Sequence, residues 1–181
     1  YKAASPSMIL YLIRYLAANK SSCINTLGLW AFACFLPLLF EHISSQGFRL
    51  LPFGFAILCM NTPICTLLSA DPELEQALRV LPGQGRRFCG DYGLFLFGAN
   101  MAVFAIYLCS WQMVCGGLRP GDGAEAALWA LLSAALSVLL EWKFPIRGWK
   151  TESDLWHHPR KYLVPLIMMA AVFGRGGIGG W

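Results

Sequence analysis

Residues 71–92 read DPELEQALRVLPGQGRRFCGDY, and this stretch decides how the rest of the chain is interpreted. It is the one clearly charged segment with helix-forming character, and long apolar runs flank it on both sides. If those runs cross a bilayer, the segment must lie in water on one side, because charged side chains are costly inside hydrocarbon. The pattern therefore predicts a short helix presented at a membrane surface.

The composition of the whole chain is typical of an integral membrane protein. Of its 181 residues, 57% are hydrophobic and only 13% are charged, whereas charged residues make up about a quarter of an average soluble domain. Several windows approach the roughly 20 apolar residues that cross about 30 Å of hydrocarbon. The net charge of +4 comes from dispersed basic residues rather than one patch, which argues against a nucleic-acid partner. The expected surroundings are a lipid bilayer.

Cysteine and histidine residues give no reason to expect a metal or a cofactor. The seven cysteines form no CxxC pair and lie mostly in or beside the apolar runs, where cysteine packs as a small hydrophobic side chain. His157 and His158 lie near Glu152 and Asp154. Adjacent histidines point in different directions, however, and Pro159 would break any helix that held them. We predict no metal site and no cofactor.

Hydropathy predicts an all-α fold: a polytopic helical membrane bundle that forms a single transmembrane domain, residues 1–181. Residues 6–20 place apolar side chains at helical spacing beside basic ones, which predicts a helix lying in the membrane interface. An ordinary first span is the alternative for this segment. About five spans are legible after it, at residues 23–42, 50–69, 93–115, 124–140 and, shorter than the others, 162–173.

The second of these spans contains Pro52, Asn61 and Pro63. Proline in a spanning helix is tolerated where neighbouring groups satisfy the freed carbonyls. We therefore expect this span to be kinked and packed inside the bundle.

The end of the sequence, GRGGIGGW, leaves two interpretations open. An arginine near mid-bilayer costs about 2.5 to 3.5 kcal/mol on insertion scales, so either the fifth helix ends before Arg175 or the native sequence continues differently. Residues 174–179 match G-x-G-x-x-G by spacing, but no strand is predicted before them, so a flexible tail is favoured over a dinucleotide site. The first segment lacks the small-residue cleavage pattern of a signal peptide.

Basic residues indicate the orientation of the bundle. If the spans alternate in direction, one side holds eleven of the fourteen Lys and Arg residues, and the other holds Arg49, Arg119 and Arg175. The positive-inside rule places the first side in the cytoplasm. We therefore predict a multi-pass protein of the cell membrane whose N-terminus, residues 71–92 and residues 142–161 are cytoplasmic.

Local signals agree on a helix within residues 71–81. Asp71 is a suitable N-cap, Pro72 suits the first helical position, and the following acidic residues favour the positive end of the helix. A loop helix that is merely solvated is the alternative. An apolar stripe that we expect to meet a partner consists of Leu74, Leu78 and Leu81.

A motif in this region resembles the cytoplasmic loop between the second and third spans of type-2 ABC exporter permeases of the Gram-positive type. The motif has the form E-x-x-L-x-x-L-P, then a basic pair, then a tyrosine before a new span. Its residues here are Glu75, Leu78, Leu81, Pro82, Arg86, Arg87 and Tyr92. Residues 142–161 contain KFP and WKxE patterns that resemble the second cytoplasmic loop of that family.

The resemblance implies a membrane half-transporter that works with a separate ATP-binding cassette subunit and a second membrane subunit, in a homodimer or heterodimer. The helix within residues 71–81 would be the coupling helix that lies in a groove of the ATPase. The family usually has six spans, whereas five are legible here. The chain has no G-x-x-x-x-G-K-[ST] loop, so ATP hydrolysis is expected in the other subunit. The residues implied to contact the ATPase are Leu74, Glu75, Leu78, Arg79 and Leu81.

Other polar residues leave the function open in part. Asn61, Asn100 and Gln112 are the most deeply placed polar residues of the spans, and they either line a substrate pathway or form hydrogen bonds between helices. Glu41 and His42 close the first span, where they are expected to mark its boundary. The alternative function is a small polytopic membrane enzyme, such as a lipid-modifying transferase or an intramembrane protease. The sequence indicates no substrate.

Overall fold

A computed structural model describes residues 8–43, 50–59, 62–81, 83–146 and 162–178. The regular structure in these ranges is helical throughout, which confirms the predicted all-α bundle. The helices are α1 (Met8–Ala18), α2 (Lys20–Ile43), α3 (Leu51–Leu58), α4 (Thr62–Cys65), α5 (Leu67–Ala70), α6 (Pro72–Val80), α7 (Gln84–Val114), α8 (Pro120–Lys143) and α9 (Leu163–Ile178).

Three helices, α2, α7 and α8, are long and apolar enough to cross a membrane. The predicted spans at residues 23–42, 93–115 and 124–140 fall on them. Helix α7 begins earlier than predicted, at Gln84, so that Arg86 and Arg87 belong to its first turns rather than to a preceding loop. A helix of 31 residues is about 46 Å long, so α7 must extend beyond a hydrocarbon layer of about 30 Å.

Helix α7 is the centre of the bundle, and it runs parallel to α2 and antiparallel to α8. On the α2 side, the Ser110 hydroxyl donates to the carbonyl of Cys34 at 2.6 Å. Pro37 lies inside α2 and has no N–H to donate to the preceding turn, so a hydroxyl from a neighbouring helix helps to satisfy the carbonyls near it. On the α8 side, the Asn100 amide donates to the Ser133 hydroxyl at 3.0 Å.

The second predicted span is buried in the bundle as expected, but it is broken into α3, α4 and α5 rather than kinked. Tyr107 donates to the carbonyl of Leu51 at 3.4 Å, and Tyr92 donates to the carbonyl of Ile64 at 2.6 Å. The broken segment therefore runs antiparallel to α7. Pro52 is the second residue of α3, and proline is well tolerated in a first helical turn. It begins a helix here instead of bending one. Asn61 lies outside the described residues.

Two shorter apolar helices complete the bundle. Helix α1 packs against α2 and α7, with Leu12 buried, and its 11 residues are too few to cross hydrocarbon. Helix α9 packs against α3 and α8, and the rings of Phe53 and Phe173 lie 5.0 Å apart. Since α9 continues to Ile178, the expectation of a flexible tail from residue 174 is wrong for residues 174–178. The packed turns before Gly174 carry the helix onward.

Candidate functional site

The helix predicted within residues 71–81 is present as α6, and its start follows the signals in the sequence. The Asp71 carboxylate accepts a hydrogen bond from the backbone N–H of Leu74 at 3.0 Å, as an N-cap does. Pro72 is the first helical residue, and acidic side chains occupy the first turn, where the helix dipole favours negative charge. The helix ends at Val80. The nine residues form a compact element at one end of the bundle.

Arg79 fastens this helix to the end of α8. Its Nε donates to Glu75 Oε1 at 2.8 Å, and its Nη2 donates to the backbone carbonyl of Trp142 at 2.9 Å. Its guanidinium carbon also lies 5.2 Å from the centre of the Trp142 ring, within the range of a cation–π contact. We call these three residues, Glu75, Arg79 and Trp142, the Arg79 clamp.

The carbonyl that Arg79 binds is one that α8 itself leaves without a partner. Helix α8 ends at Lys143, and the last four carbonyls of a helix lack internal donors. Arg79 supplies a cationic donor there, where the negative end of the helix dipole favours a positive charge. The clamp thus joins the last turn of α6 to the last turn of α8.

A buried carboxylate makes a second connection at the same end. Glu141 is completely buried, and its Oε1 accepts a hydrogen bond from the backbone N–H of Ser69 at 2.5 Å. That N–H lies in the first turn of α5, where helix donors lack internal acceptors. The Ser69 hydroxyl in turn accepts a hydrogen bond from the N–H of Ile146 at 2.9 Å. We call Glu141, Ser69 and Ile146 the Glu141 latch.

Together the clamp and the latch define what we call the α6 end of the bundle. It consists of α6, the end of α5, the start of α7 and the end of α8. The start of α7 is closely fitted to the same place, because a Cβ atom added at Gly85 would lie 2.5 Å from the Trp142 ring. Helix α6 therefore has direct contacts with both long helices, α7 and α8.

The leucine stripe of α6 does not face outward as predicted. Leu78 is buried in the chain's own core against side chains of α7, Leu74 is half-buried, and Glu75 is buried in the clamp. Leu81 is 54% exposed but is extended and lies beyond the helix. The physical reason is simple. The end of the bundle covers the face of α6 that carries Leu74 and Leu78, so these side chains pack against the chain itself.

A different face of α6 is exposed on the surface of the bundle. Its residues are spaced at i, i+3, i+4 and i+7, which places them on one side of a helix. Val80 is the most exposed of them, at 79%. This outward face consists of Glu73, Gln76, Ala77 and Val80, with Leu81 following it.

The structure gives Asn100 and Gln112 local structural roles. Asn100 is buried and donates to Ser133 on α8, so it forms an interhelical hydrogen bond of the kind that joins membrane helices. Gln112 is exposed, and its side-chain oxygen accepts from the N–H of Leu118 in the turn between α7 and α8.

Two other titratable residues considered in the sequence, Glu41 and His42, lie apart from the α6 end. Glu41 and His42 are exposed at the far end of α2, and the His42 ring lies 3.1 Å from the carbonyl of Leu38. Within the described residues, no group of three or more His, Cys, Asp and Glu side chains comes together. His157 and His158 lie outside those residues.

Sequence reasoning missed the two residues that make the α6 end a connected unit, Glu141 and Trp142. The predicted span at residues 124–140 ends just before Glu141, and Trp142 is the first residue of the predicted cytoplasmic segment 142–161. The available signal was a carboxylate directly after a long apolar run, since ionisable groups at such depth are often paired. The partner, Ser69, carries no signal of its own because its backbone makes the contact.

No protein-family model matches the chain, and comparisons with curated proteins and with solved structures find no match either.

Proposed function

We propose that this chain is the membrane-spanning permease subunit of an ATP-driven exporter, and that α6 is its coupling helix. The observation that carries the proposal is the Arg79 clamp, in which a short surface helix is bonded to the carboxyl end of a long membrane helix. A helix held in this way transmits displacement, whereas a freely solvated helix absorbs it. The motif resemblance of residues 75–92 supports the same role.

In this proposal, the ATPase pushes on the outward face of α6, and the displacement of α6 is passed to α7 and α8. A separate ATP-binding cassette subunit would contact Glu73, Gln76 and Val80, which the chain leaves exposed. Closure of the ATPase subunits would push α6, and the clamp would pass that push to α8. The Glu141 latch would pass the same displacement to α5 and to the residues that follow α8. The long helices would then reorient and expose the substrate to the opposite side.

The orientation belongs to the same proposal. The α6 end carries Arg79, Arg86, Arg87 and Lys143, so the positive-inside rule favours a cytoplasmic location for it. The N-terminus would then be cytoplasmic as well, in a multi-pass protein of the cell membrane. A second membrane subunit, identical or different, would complete the pathway, because one bundle of this size presents only half of a dimeric exporter.

The test is capture of the ATPase from native membranes. An affinity-tagged chain is expected to co-purify with an ATP-binding cassette subunit identified by mass spectrometry. Val80→Glu should reduce that capture at least tenfold, since it adds a negative charge at the most exposed apolar residue of the outward face. The matched control is Met113→Glu, which adds the same charge at an equally exposed position, 86% against 79%, at the other end of the bundle.

Two results would count against the proposal. If no ATP-binding subunit is captured with the unaltered chain, the permease assignment is wrong and the membrane-enzyme alternative gains weight. If Val80→Glu and Met113→Glu reduce capture equally, α6 is not the docking surface.

A further inference from the structure

A surface groove lies between α7 and α8, and the coupling role does not use it. Its volume is about 500 Å³, within the 300 to 1,000 Å³ typical of ligand sites. On the α7 side, Gly90 and Gly93 line the groove. On the α8 side, apolar side chains line it along most of its length. The lining residues are Cys89, Gly90, Gly93, Leu131, Ala134, Ala135, Val138, Leu139, Trp142 and Lys143.

The groove has the length of one lipid leaflet. Along α8 it extends from Leu131 to Lys143, and twelve residues of helix rise about 18 Å. Half of a bilayer's hydrocarbon core is about 15 Å thick. Leu131 and Leu139 are 56% and 51% exposed along this path. An extended acyl chain therefore fits the groove in length and in polarity.

One end of the groove is positively charged. Lys143 lines that end and is exposed. Arg86 lies three and four residues before Cys89 and Gly90, which places it on the same face of α7 as the groove. Neither Arg86 nor Lys143 forms an ion pair within the described part of the chain. Trp142 also lines the groove beside Lys143, and tryptophan is enriched at the level of lipid headgroups.

We propose that this groove binds an anionic phospholipid of the bilayer, with an acyl chain along α8 and the headgroup phosphate between Arg86 and Lys143. The charge complementarity selects an anionic lipid over a zwitterionic one, and the leaflet-length apolar path selects a lipid over a soluble anion. This lipid-binding proposal requires only that the chain lies in a membrane. It can therefore be tested independently of the proposed transport role. Because Trp142 also belongs to the Arg79 clamp, the bound lipid would contact the coupling site.

The first test measures lipid retention by native mass spectrometry. The purified full chain is released from vesicles of equal phosphatidylglycerol and phosphatidylcholine, and we expect preferential retention of phosphatidylglycerol. Each basic residue near an anionic surface contributes about fivefold in affinity. The double substitution Arg86→Gln with Lys143→Gln should therefore lower the preference by roughly 30-fold. Arg14→Gln is the control, since it removes one exposed charge from α1, outside the groove.

A second variant blocks the apolar part of the site. It keeps lipid binding testable if the double variant misfolds. Gly90→Leu fills the groove, and it is expected to fold because a Cβ there meets nothing within 4 Å and leucine favours helix more than glycine does. Retention of both lipids at this site should fall. Equal retention of the two lipids by the unaltered chain, or unchanged preference in the double variant, would overturn the proposal.

Photo-crosslinking from position 139 decides what occupies the groove. A photoreactive phenylalanine analogue replacing Leu139 should form an adduct with the mass of one phospholipid in phosphatidylglycerol-containing membranes. An adduct with a second copy of the chain would instead make the groove a subunit interface and would refute lipid binding.

Discussion

The two ends of the bundle use charged side chains in opposite ways. At the turn between α7 and α8, Asp122 accepts from the backbone of Arg119, three residues away, so the charge caps its own helix. At the α6 end, Arg79 reaches Trp142 across 63 residues of sequence, and Glu141 reaches Ser69 across 72. Long-range contacts at the turn end come from neutral groups such as the Ser110 hydroxyl and the Cys115 thiol.

This difference agrees with our proposal that the α6 end transmits movement. A local cap stabilises one helix and leaves its neighbours independent. Charge-assisted hydrogen bonds between separate elements are stronger than neutral ones and have defined directions. They therefore move those elements together. The comparison predicts that substitutions at the α6 end spread their effects over several helices, while those at the turn end stay local.

The largest effect is expected from Glu141→Ala. Removing the buried carboxylate leaves the Ser69 N–H without this acceptor, and an unsatisfied buried group costs about 3 kcal/mol of unfolding free energy. Thermal unfolding in detergent should show a clearly lower melting temperature. The matched control is Glu73→Ala, an exposed acid of the same end, which should change stability little. Equal stability of the two variants would mean that the latch is not a structural connection.

Gly85→Ala should have the next largest effect. A Cβ at this position would lie 2.5 Å from the Trp142 ring, and overpacking of this kind costs about 2 kcal/mol. In contrast, a Cβ at Gly98 on the same helix meets nothing within 4 Å. Gly98→Ala should therefore stabilise the helix by about 0.5 to 1 kcal/mol. Melting temperatures that shift in the same direction for both variants would contradict the close fit between α7 and Trp142.

A smaller change is expected from Arg79→Ala. Arg79 is 41% exposed, so solvent screens part of its ion pair and its loss should cost about 1 kcal/mol. That cost corresponds to roughly fivefold faster hydrogen exchange of the α6 amides, measured by mass spectrometry. Asp122→Ala, at the turn end, should speed exchange only in the first turn of α8. Unchanged exchange in α6 after Arg79→Ala would show that the clamp does not hold this helix.

The sequence predicted the elements of this fold better than their connections. Capping residues located α6, and hydropathy located α2, α7 and α8, because both signals are local. The orientation of α6 was not predictable, since an apolar stripe containing Leu78 looks the same whether the chain or a partner covers it. Burial of Glu141 depends on Ser69, a contact that no local pattern encodes. Pro52 was expected to kink a helix, but it lies in the first turn of α3, and the breaks in this span come later along the chain.

One measurement tests the transmission of force most directly, in the complex of this chain with its captured ATPase. Cys115 at the turn end is an exposed native thiol. A membrane-impermeant maleimide reacts with the thiolate form of a cysteine, so labelling rates are compared at one pH. At fixed pH, trapping the ATPase with ATP and vanadate should change the labelling rate of Cys115 severalfold. Arg79→Ala should retain the ATPase but lose this response. A response in Arg79→Ala equal to that of the unaltered chain would contradict coupling through the clamp.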